Sequence, residues 1–158
     1  MLKRRSMGFG LAFRFFSRQK VSNVMKQTPN SNTRGDIENE ADVRRLVDTF
    51  YENVREDALI GPIFDDMVKD WNTHLPTMYA FWSRLLLGKE GYAGNPWMKH
   101  AQLPVEKAHF TKWLELFMFT IESLFEGPCA EHAKGSAKSI AHSFQVRMGI
   151  DPFITVAE

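Results

Sequence analysis

The sequence predicts an all-α protein that forms one domain of packed helices. Three observations support this prediction: apolar residues recur at helical spacing over long segments, Gly-Pro pairs interrupt those segments, and no stretch alternates apolar and polar residues as a half-exposed strand does. With 158 residues, of which 44% are hydrophobic, the chain can form one domain with a substantial core but not two.

Charge divides the chain into two parts. Residues 1–40 contain eight basic and three acidic residues, which leaves 12 basic and 16 acidic residues, a net charge of −4, in residues 41–158. Such an acidic body argues against nucleic acid as a partner. We predict a basic, disordered N-terminal extension over residues 1–40, a folded domain over 41–150 and a short C-terminal tail over 151–158.

Localisation depends on how the N-terminal extension is interpreted. Its apolar run is too short to cross a bilayer as a helix, which needs about 20 residues, so we predict no transmembrane segment. We expect a cytoplasmic protein, and the single Cys129 fits a reducing compartment. The Arg, Ser and Phe content of the extension also resembles a transit peptide, so targeting or membrane-surface association is an alternative. A second alternative is that translation starts later, at Met25, so that the first 24 residues are not part of the protein.

Apolar spacing predicts a first helix around residues 43–54. Five apolar residues fall at i, i+3, i+4, i+7 and i+11 and so share one stripe of a helix: Val43, Leu46, Val47, Phe50 and Val54. Tyr51 lies at the edge of that stripe. The Gly61-Pro62 pair must follow this helix rather than join it, because proline lacks the N–H that a helix interior requires.

A second helix is predicted over residues 71–87, where the apolar residues keep a helical register and His74 lies in the apolar sector. Thr73 is the predicted N-cap of this helix. Pro76 would then lie in the first turn, where its missing N–H has no intrahelical partner to lose.

Two more long helices are predicted in the C-terminal half of the chain. Glycines and a proline between residues 88 and 96 indicate a connection that ends near His100. An apolar stripe over residues 110–124 then predicts a helix that ends before the Gly-Pro pair at 127–128. A stripe rich in small residues over 133–148 predicts the last helix.

Several enzyme classes have no support in the sequence. The five histidines include no His-x-x-x-His pair, which argues against a helical zinc site. No serine lies in a nucleophile-elbow glycine pattern, and the glycine-rich segment 88–94 does not follow a strand. We therefore do not predict a hydrolase or a nucleotide-dependent enzyme.

Aromatic residues are unusually frequent for a helical domain of this size. The chain contains thirteen Phe and four Trp, and aromatic walls suit a flat apolar macrocycle such as haem. The pattern alone leaves open a second interpretation, in which these rings pack against one another as an ordinary core.

The order of several short motifs resembles group III truncated haemoglobins from about residue 43 to residue 148. The motifs are Phe50-Tyr51-Glu52-Asn53-Val54-Arg55, Gly61-Pro62-Ile63-Phe64, Trp71 with His74, Phe81-Trp82, Leu85-Leu86-Leu87-Gly88, Tyr92-Ala93-Gly94 with Pro96 and His100, and Phe110 with Trp113-Leu114. The chain also lacks the Gly-Gly pairs typical of the first two groups.

This resemblance implies two pairs of helices, packed two over two, around haem b. The cofactor-binding residues that it implies are His100, Phe64, His74, Tyr51, Trp113, Phe81 and Trp82. His100 corresponds to the proximal axial iron ligand and Phe64 to the phenylalanine that stacks on the porphyrin. Tyr51 and Trp113 correspond to the polar distal pair, and His74 to the distal residue near the ligand entrance. His109, His132 and His142 lie outside this set, and we interpret them as surface or polar-face residues.

The resemblance further implies reversible binding of O₂ and other diatomic ligands at the open sixth iron position, with slow O₂ release. No Cys-x-x-Cys-His motif is present, so the haem would be held non-covalently. One alternative is a haem-dependent dioxygenase or peroxidase that acts on nitric oxide or peroxide with an external reductase. Another is a gas or redox sensor whose extension contacts a membrane or a partner. The sequence indicates neither a catalytic residue nor an oligomeric state.

Overall fold

Helices are the only regular structure in residues 34–150, the part of the chain that the computed structural model describes. They are α1 (Glu40–Glu56), α2 (Gly61–Met67), α3 (Trp71–Leu87), α4 (Pro96–His100), α5 (Lys107–Leu124) and α6 (Pro128–Arg147). The predicted all-α fold is confirmed. Expectations for residues 1–33 and 151–158 lie outside the described residues.

Helix α1 occupies the centre of the packing. It contacts α2, α3 and α5, and α6 in turn packs on α5 and α3, so the pairs α1/α3 and α5/α6 meet through α1 and α5. The predicted stripe of α1 is confirmed, since each of its five residues is at most 2% exposed. Burial of one such side chain stabilises the fold by about 1.5–3 kcal/mol. None of the helices in residues 34–150 is both long and apolar enough to span a membrane.

Helix α3 has the predicted bounds but a different N-cap. The side chain of Asp70 accepts a hydrogen bond from the Asn72 N–H at 2.9 Å, and the Thr73 hydroxyl donates to the same carboxylate at 2.6 Å. The prediction that Thr73 caps the helix is wrong, because a carboxylate one turn earlier is the stronger acceptor. Pro76 therefore lies inside the helix rather than in its first turn.

The N-terminus of α6 is capped by a residue that is distant in the sequence. The carboxylate of Asp36 accepts hydrogen bonds from the N–H groups of Cys129 at 2.9 Å and Ala130 at 2.8 Å. Gly127 has a φ of +149°, and a Cβ there would lie 2.5 Å from Cγ of Asp36. Ile37 is buried as well. Residues 36 and 37, which the sequence analysis placed in the extension, thus contact the helical body.

We predict that Asp36→Ala destabilises the fold by about 1–2 kcal/mol at neutral pH, the usual cost of a lost charged cap. Burial tends to raise the pKa of Asp36, but hydrogen bonds from the N–H groups of Cys129, Ile37 and Ala130 outweigh it, so the pKa is lowered overall. A lowered folded-state pKa gives stability that is present above the unfolded value, about 3.9, and lost as pH falls through the folded value. The loss in Asp36→Ala should shrink in that acidic range.

Chemical denaturation of both proteins between pH 3 and pH 8 measures this difference. Asp65→Ala removes the same charge from an exposed position on α2 and serves as the control. A difference between the wild type and Asp36→Ala that stays constant down to pH 3 would contradict the proposed role of the carboxylate.

Candidate functional site

A cavity of about 670 Å³ is enclosed by residues from all six helices and from the loops on either side of α4. This volume lies within the range of 300–1,000 Å³ typical of small-molecule sites. All of the residues predicted to bind the cofactor line it: Tyr51, Phe64, His74, Phe81, Trp82, His100 and Trp113. The structure therefore brings together residues that are up to 62 positions apart in the sequence.

Tyr51 reaches the cavity from α1. Its ring is 8% exposed and meets the rings of Phe64 and His74 edge-on, with centroids 5.9 Å and 5.2 Å away. Burial raises the pKa of the Tyr51 phenol well above its ordinary value. The group therefore keeps its proton at physiological pH. Within residues 34–150 the hydroxyl has no hydrogen-bond partner, so its O–H is free to donate to a ligand.

Trp113 contributes a second donor to the cavity from α5. Its indole stacks on Phe117 with centroids 5.4 Å apart and planes 8° apart, and it meets Phe50 edge-on at 5.5 Å. Phe50 also contacts the Tyr51 ring, at 5.1 Å, so one buried phenylalanine supports both donors. The Trp113 N–H, like the Tyr51 hydroxyl, has no acceptor in the described part of the chain.

His74 is held on α3 between two aromatic rings. Its imidazole meets Tyr51 at 5.2 Å and Trp71 at 5.6 Å, both edge-on. Burial lowers the pKa of His74, and the nearby basic groups of His100 and Lys99 lower it further, so the ring is neutral at physiological pH. Its Nε2 atom is buried without a hydrogen-bond partner. Because buried polar atoms are normally paired, this atom indicates that the cavity wall is completed by a ligand.

His100 ends α4 and has one ring nitrogen available for a metal. Its Nδ1 lies 2.5 Å from the carbonyl oxygen of Pro96. A carbonyl only accepts, so Nδ1 carries the proton, and a neutral imidazole then has a lone pair on Nε2. Histidine ligands of metals are commonly oriented in this way, by a hydrogen bond from the other ring nitrogen. Phe144 packs on the same ring, with centroids 5.1 Å apart.

Aromatic side chains form much of the apolar wall. Trp82 stacks on Phe117 at 4.8 Å, and Phe81 meets Trp82 at 5.3 Å and Tyr92 at 5.2 Å, both edge-on. Phe64 comes from the short helix α2, which the Gly61-Pro62 pair begins. A flat macrocycle with apolar faces fits such walls, since it would bury surface against rings already fixed by their neighbours.

Two residues of the cavity wall carry roles that sequence reasoning missed. His109 was interpreted as a surface or polar-face residue, but it is half-buried and lines the cavity, and its Nδ1 accepts from the Glu106 N–H at 2.8 Å. Its spacing of four residues before Trp113 puts both on one helix face and could have indicated this. Phe144 was seen only as part of an apolar stripe. His132 and His142 are exposed, as expected.

The cavity thus combines an imidazole that has a free ring nitrogen with two unpaired donors and aromatic walls, inside a two-over-two helical body. These features together define a haem-binding globin. The chain belongs to the bacterial-like globin family, whose pattern it matches over residues 35–146. The residues present fit the group, since His100 can ligate iron and the unpaired His74 nitrogen lines the same cavity. Family membership implies that the protein binds haem and small diatomic gases.

Within this family the chain is similar to proteins of group III. It is 32% identical over 112 residues to the group 3 truncated hemoglobin ctb of Campylobacter jejuni, an alignment that covers 68% of this chain and 88% of that protein. It also matches the crystal structure of a group III truncated hemoglobin from Campylobacter jejuni with a TM-score of 0.68 and 30% identity, over 73% of this chain and 95% of that one. The predicted resemblance to group III truncated haemoglobins is confirmed.

We predict that His100→Ala loses the native haem spectrum, because this change removes the ring nitrogen available to the iron. Added imidazole should restore the spectrum by entering the space left by the side chain. Absorption spectra of the ferric, ferrous and CO forms measure both effects. His132→Ala, which removes an exposed histidine from α6, should match the wild type. A native ferrous spectrum in His100→Ala without imidazole would contradict the assignment.

Proposed function

We propose that this protein binds one haem b non-covalently through His100 and reversibly holds O₂ and related diatomic ligands beside Tyr51 and Trp113, with slow release of O₂. One observation carries the proposal. The unpaired donors of Tyr51 and Trp113 line the same cavity as a histidine whose tautomer leaves a ring nitrogen free.

The haem would supply a ferrous iron with one open position for a small ligand. The chain would then decide how strongly that ligand is held. Diatomic ligands differ in the negative charge they gain on binding, and O₂ gains much more than CO does. A phenol O–H and an indole N–H directed at the ligand therefore stabilise O₂ far more than CO.

The donors are well suited to this role because buried aromatic rings hold them in place. Tyr51 and Trp113 both contact Phe50, which is 2% exposed, and Trp113 also stacks on a fully buried Phe117. Little reorganisation of the donors is therefore needed when a ligand arrives, which favours slow ligand release.

A haem-dependent redox enzyme is a second candidate function. It would turn over nitric oxide or peroxide with electrons from a reductase. The observation that favours it is a continuous series of ring contacts from His100 through Phe144 and Trp97 to the protein surface. Turnover measured with a reducing system separates this enzyme from a carrier. The sensor hypothesis depends on the N-terminal extension, most of which lies outside the described residues.

We predict that Tyr51→Phe speeds O₂ release by roughly 10- to 150-fold. This range corresponds to the loss of a hydrogen bond to a charged partner, which is worth about 1.5–3 kcal/mol. Release of CO should hardly change, since CO offers little charge to the phenol. Stopped-flow release rates measure both. Tyr79→Phe, the same change at a tyrosine outside the cavity, is the control. O₂ release within about twofold of the wild type would show that Tyr51 only packs.

Trp113→Phe should speed O₂ release in the same direction. Both donors serve one ligand, so the effects of the two changes should not add in the double variant. Additive effects would instead indicate that Tyr51 and Trp113 contact the ligand independently or act on different steps.

We predict that His74→Ala mainly changes the association rate of CO and O₂, because the half-buried imidazole occupies part of the cavity wall. The ferrous wild type should remain five-coordinate before ligand is added. Flash photolysis measures the association rates, and absorption spectra report the coordination state. A six-coordinate, low-spin ferrous wild type whose spectrum changes to five-coordinate in His74→Ala would show that His74 ligates the iron instead.

A further inference from the structure

We propose that the surface formed by α4 and the C-terminal end of α6 docks an acidic one-electron donor protein, and that Trp97 links this surface to His100. We name this surface, made of Trp97, Met98, Lys99, Val146 and Arg147, the proximal face. The inference rests on the proposed function, because the electron must reach an iron held by His100. It holds for a carrier, whose iron must be kept ferrous, and for an enzyme that draws its electrons from a reductase.

Ring contacts run without a gap from the proposed iron ligand to the surface. The His100 ring lies 5.1 Å from that of Phe144, and the Phe144 ring lies 5.7 Å from that of Trp97. The guanidinium of Arg147 then covers the Trp97 ring at 4.9 Å. Trp97 is half-buried and does not line the cavity, so ligand binding does not explain its position.

Apolar side chains are exposed beside this series of rings. Met98 is 71% exposed and Val146 is 43% exposed, and they are the chain neighbours of Trp97 and Arg147. Exposed apolar residues with a charged rim mark interaction sites. The area is small, which suits the weak and transient complexes that electron-transfer partners form.

Charge indicates which kind of partner fits the proximal face. Arg147 and Lys99 are both exposed on these helices, although Lys99 also lines the cavity, and neither forms an ion pair with a carboxylate of residues 34–150. Residues 41–158 carry a net charge of −4, so this face is locally positive on a negative body. An acidic partner would be steered to it, whereas a basic one would be drawn to the rest of the surface.

The transfer itself is a one-electron step without bond formation. A reduced flavin or iron–sulfur centre in the partner loses one electron and is oxidised. His100 would hold the iron that accepts this electron, which would pass from the ferric to the ferrous state. No proton or leaving group is required from the residues of the proximal face, which only dock the partner and shorten the path.

The test uses the haem-loaded full chain and a reduced plant-type [2Fe–2S] ferredoxin as an acidic probe. Stopped-flow absorbance under CO follows reduction of the ferric protein. Arg147→Glu should slow this reaction by about tenfold at low ionic strength and remove most of its salt dependence. Calorimetry with the oxidised probe should show a matching increase in Kd, which is a measurement independent of electron transfer.

Two controls separate docking from general effects. Lys138→Glu makes the same charge change nine residues earlier on α6, on the opposite side of the helix, and should match the wild type. Reduction by dithionite, which needs no docking surface, should be equal in all variants.

Trp97→Leu, which removes the ring but keeps an apolar side chain, should lower the limiting rate at saturating probe by a larger factor than it raises the calorimetric Kd, because the charges that steer the partner remain.

Three results would overturn the proposal. They are equal reduction rates in Arg147→Glu and wild type, a wild type that neither binds the probe nor accepts its electrons, and a dimer in solution that Arg147→Glu dissociates. Failure of the proposed function is recognised separately, since a wild type that takes up no haem would show no CO spectrum at all. If the wild type has a normal CO spectrum but neither binds the probe nor is reduced by it, this inference is rejected while the proposed function stands.

Discussion

Burial of α1 is the constraint on which the rest of the structure depends. Its stripe from Val43 to Val54 is almost inaccessible to solvent, and the helices α2, α3 and α5 are placed by contact with it. Tyr51, next to that stripe, is left to face the cavity. A cavity of about 670 Å³ in so small a domain leaves many side chains without neighbours, which lowers stability. A haem bound there would therefore stabilise the fold as well as supply its chemistry.

The aromatic layer connects the core to the site. Phe117 is fully buried and stacks on both Trp82 and Trp113, while Phe50 contacts Trp113 and Tyr51. The Trp113 ring, which offers an N–H to the cavity, is thus positioned by Phe117, which does not line the cavity, and by Phe50, which does. This arrangement reconciles the two interpretations of the aromatic content, because the same rings serve as core packing and as cavity wall.

Sequence periodicity predicted the helices well where the spacing of apolar residues alone determines which face of a helix is buried. The stripe of α1 and the bounds of α3 follow from apolar spacing alone. The N-cap of α3 was misassigned because Asp70 and Thr73 both suit a cap, and only the backbone geometry chooses between them. Capping of α6 by Asp36 could not be predicted, since residues more than 90 positions apart must first be brought together by the fold. The candidate site residues were predicted through family resemblance, because a single histidine has no periodicity.

The raised pKa of Tyr51 has a consequence for how the protein responds to its surroundings. A phenol that keeps its proton throughout the range in which the fold is stable offers the same hydrogen bond in every compartment. The cap of α6, by contrast, depends on the carboxylate of Asp36, which acid can neutralise. Acidification would therefore weaken the Asp36 cap of α6 without changing the hydrogen bond that the Tyr51 phenol offers, so this donor stays constant for as long as the protein remains folded.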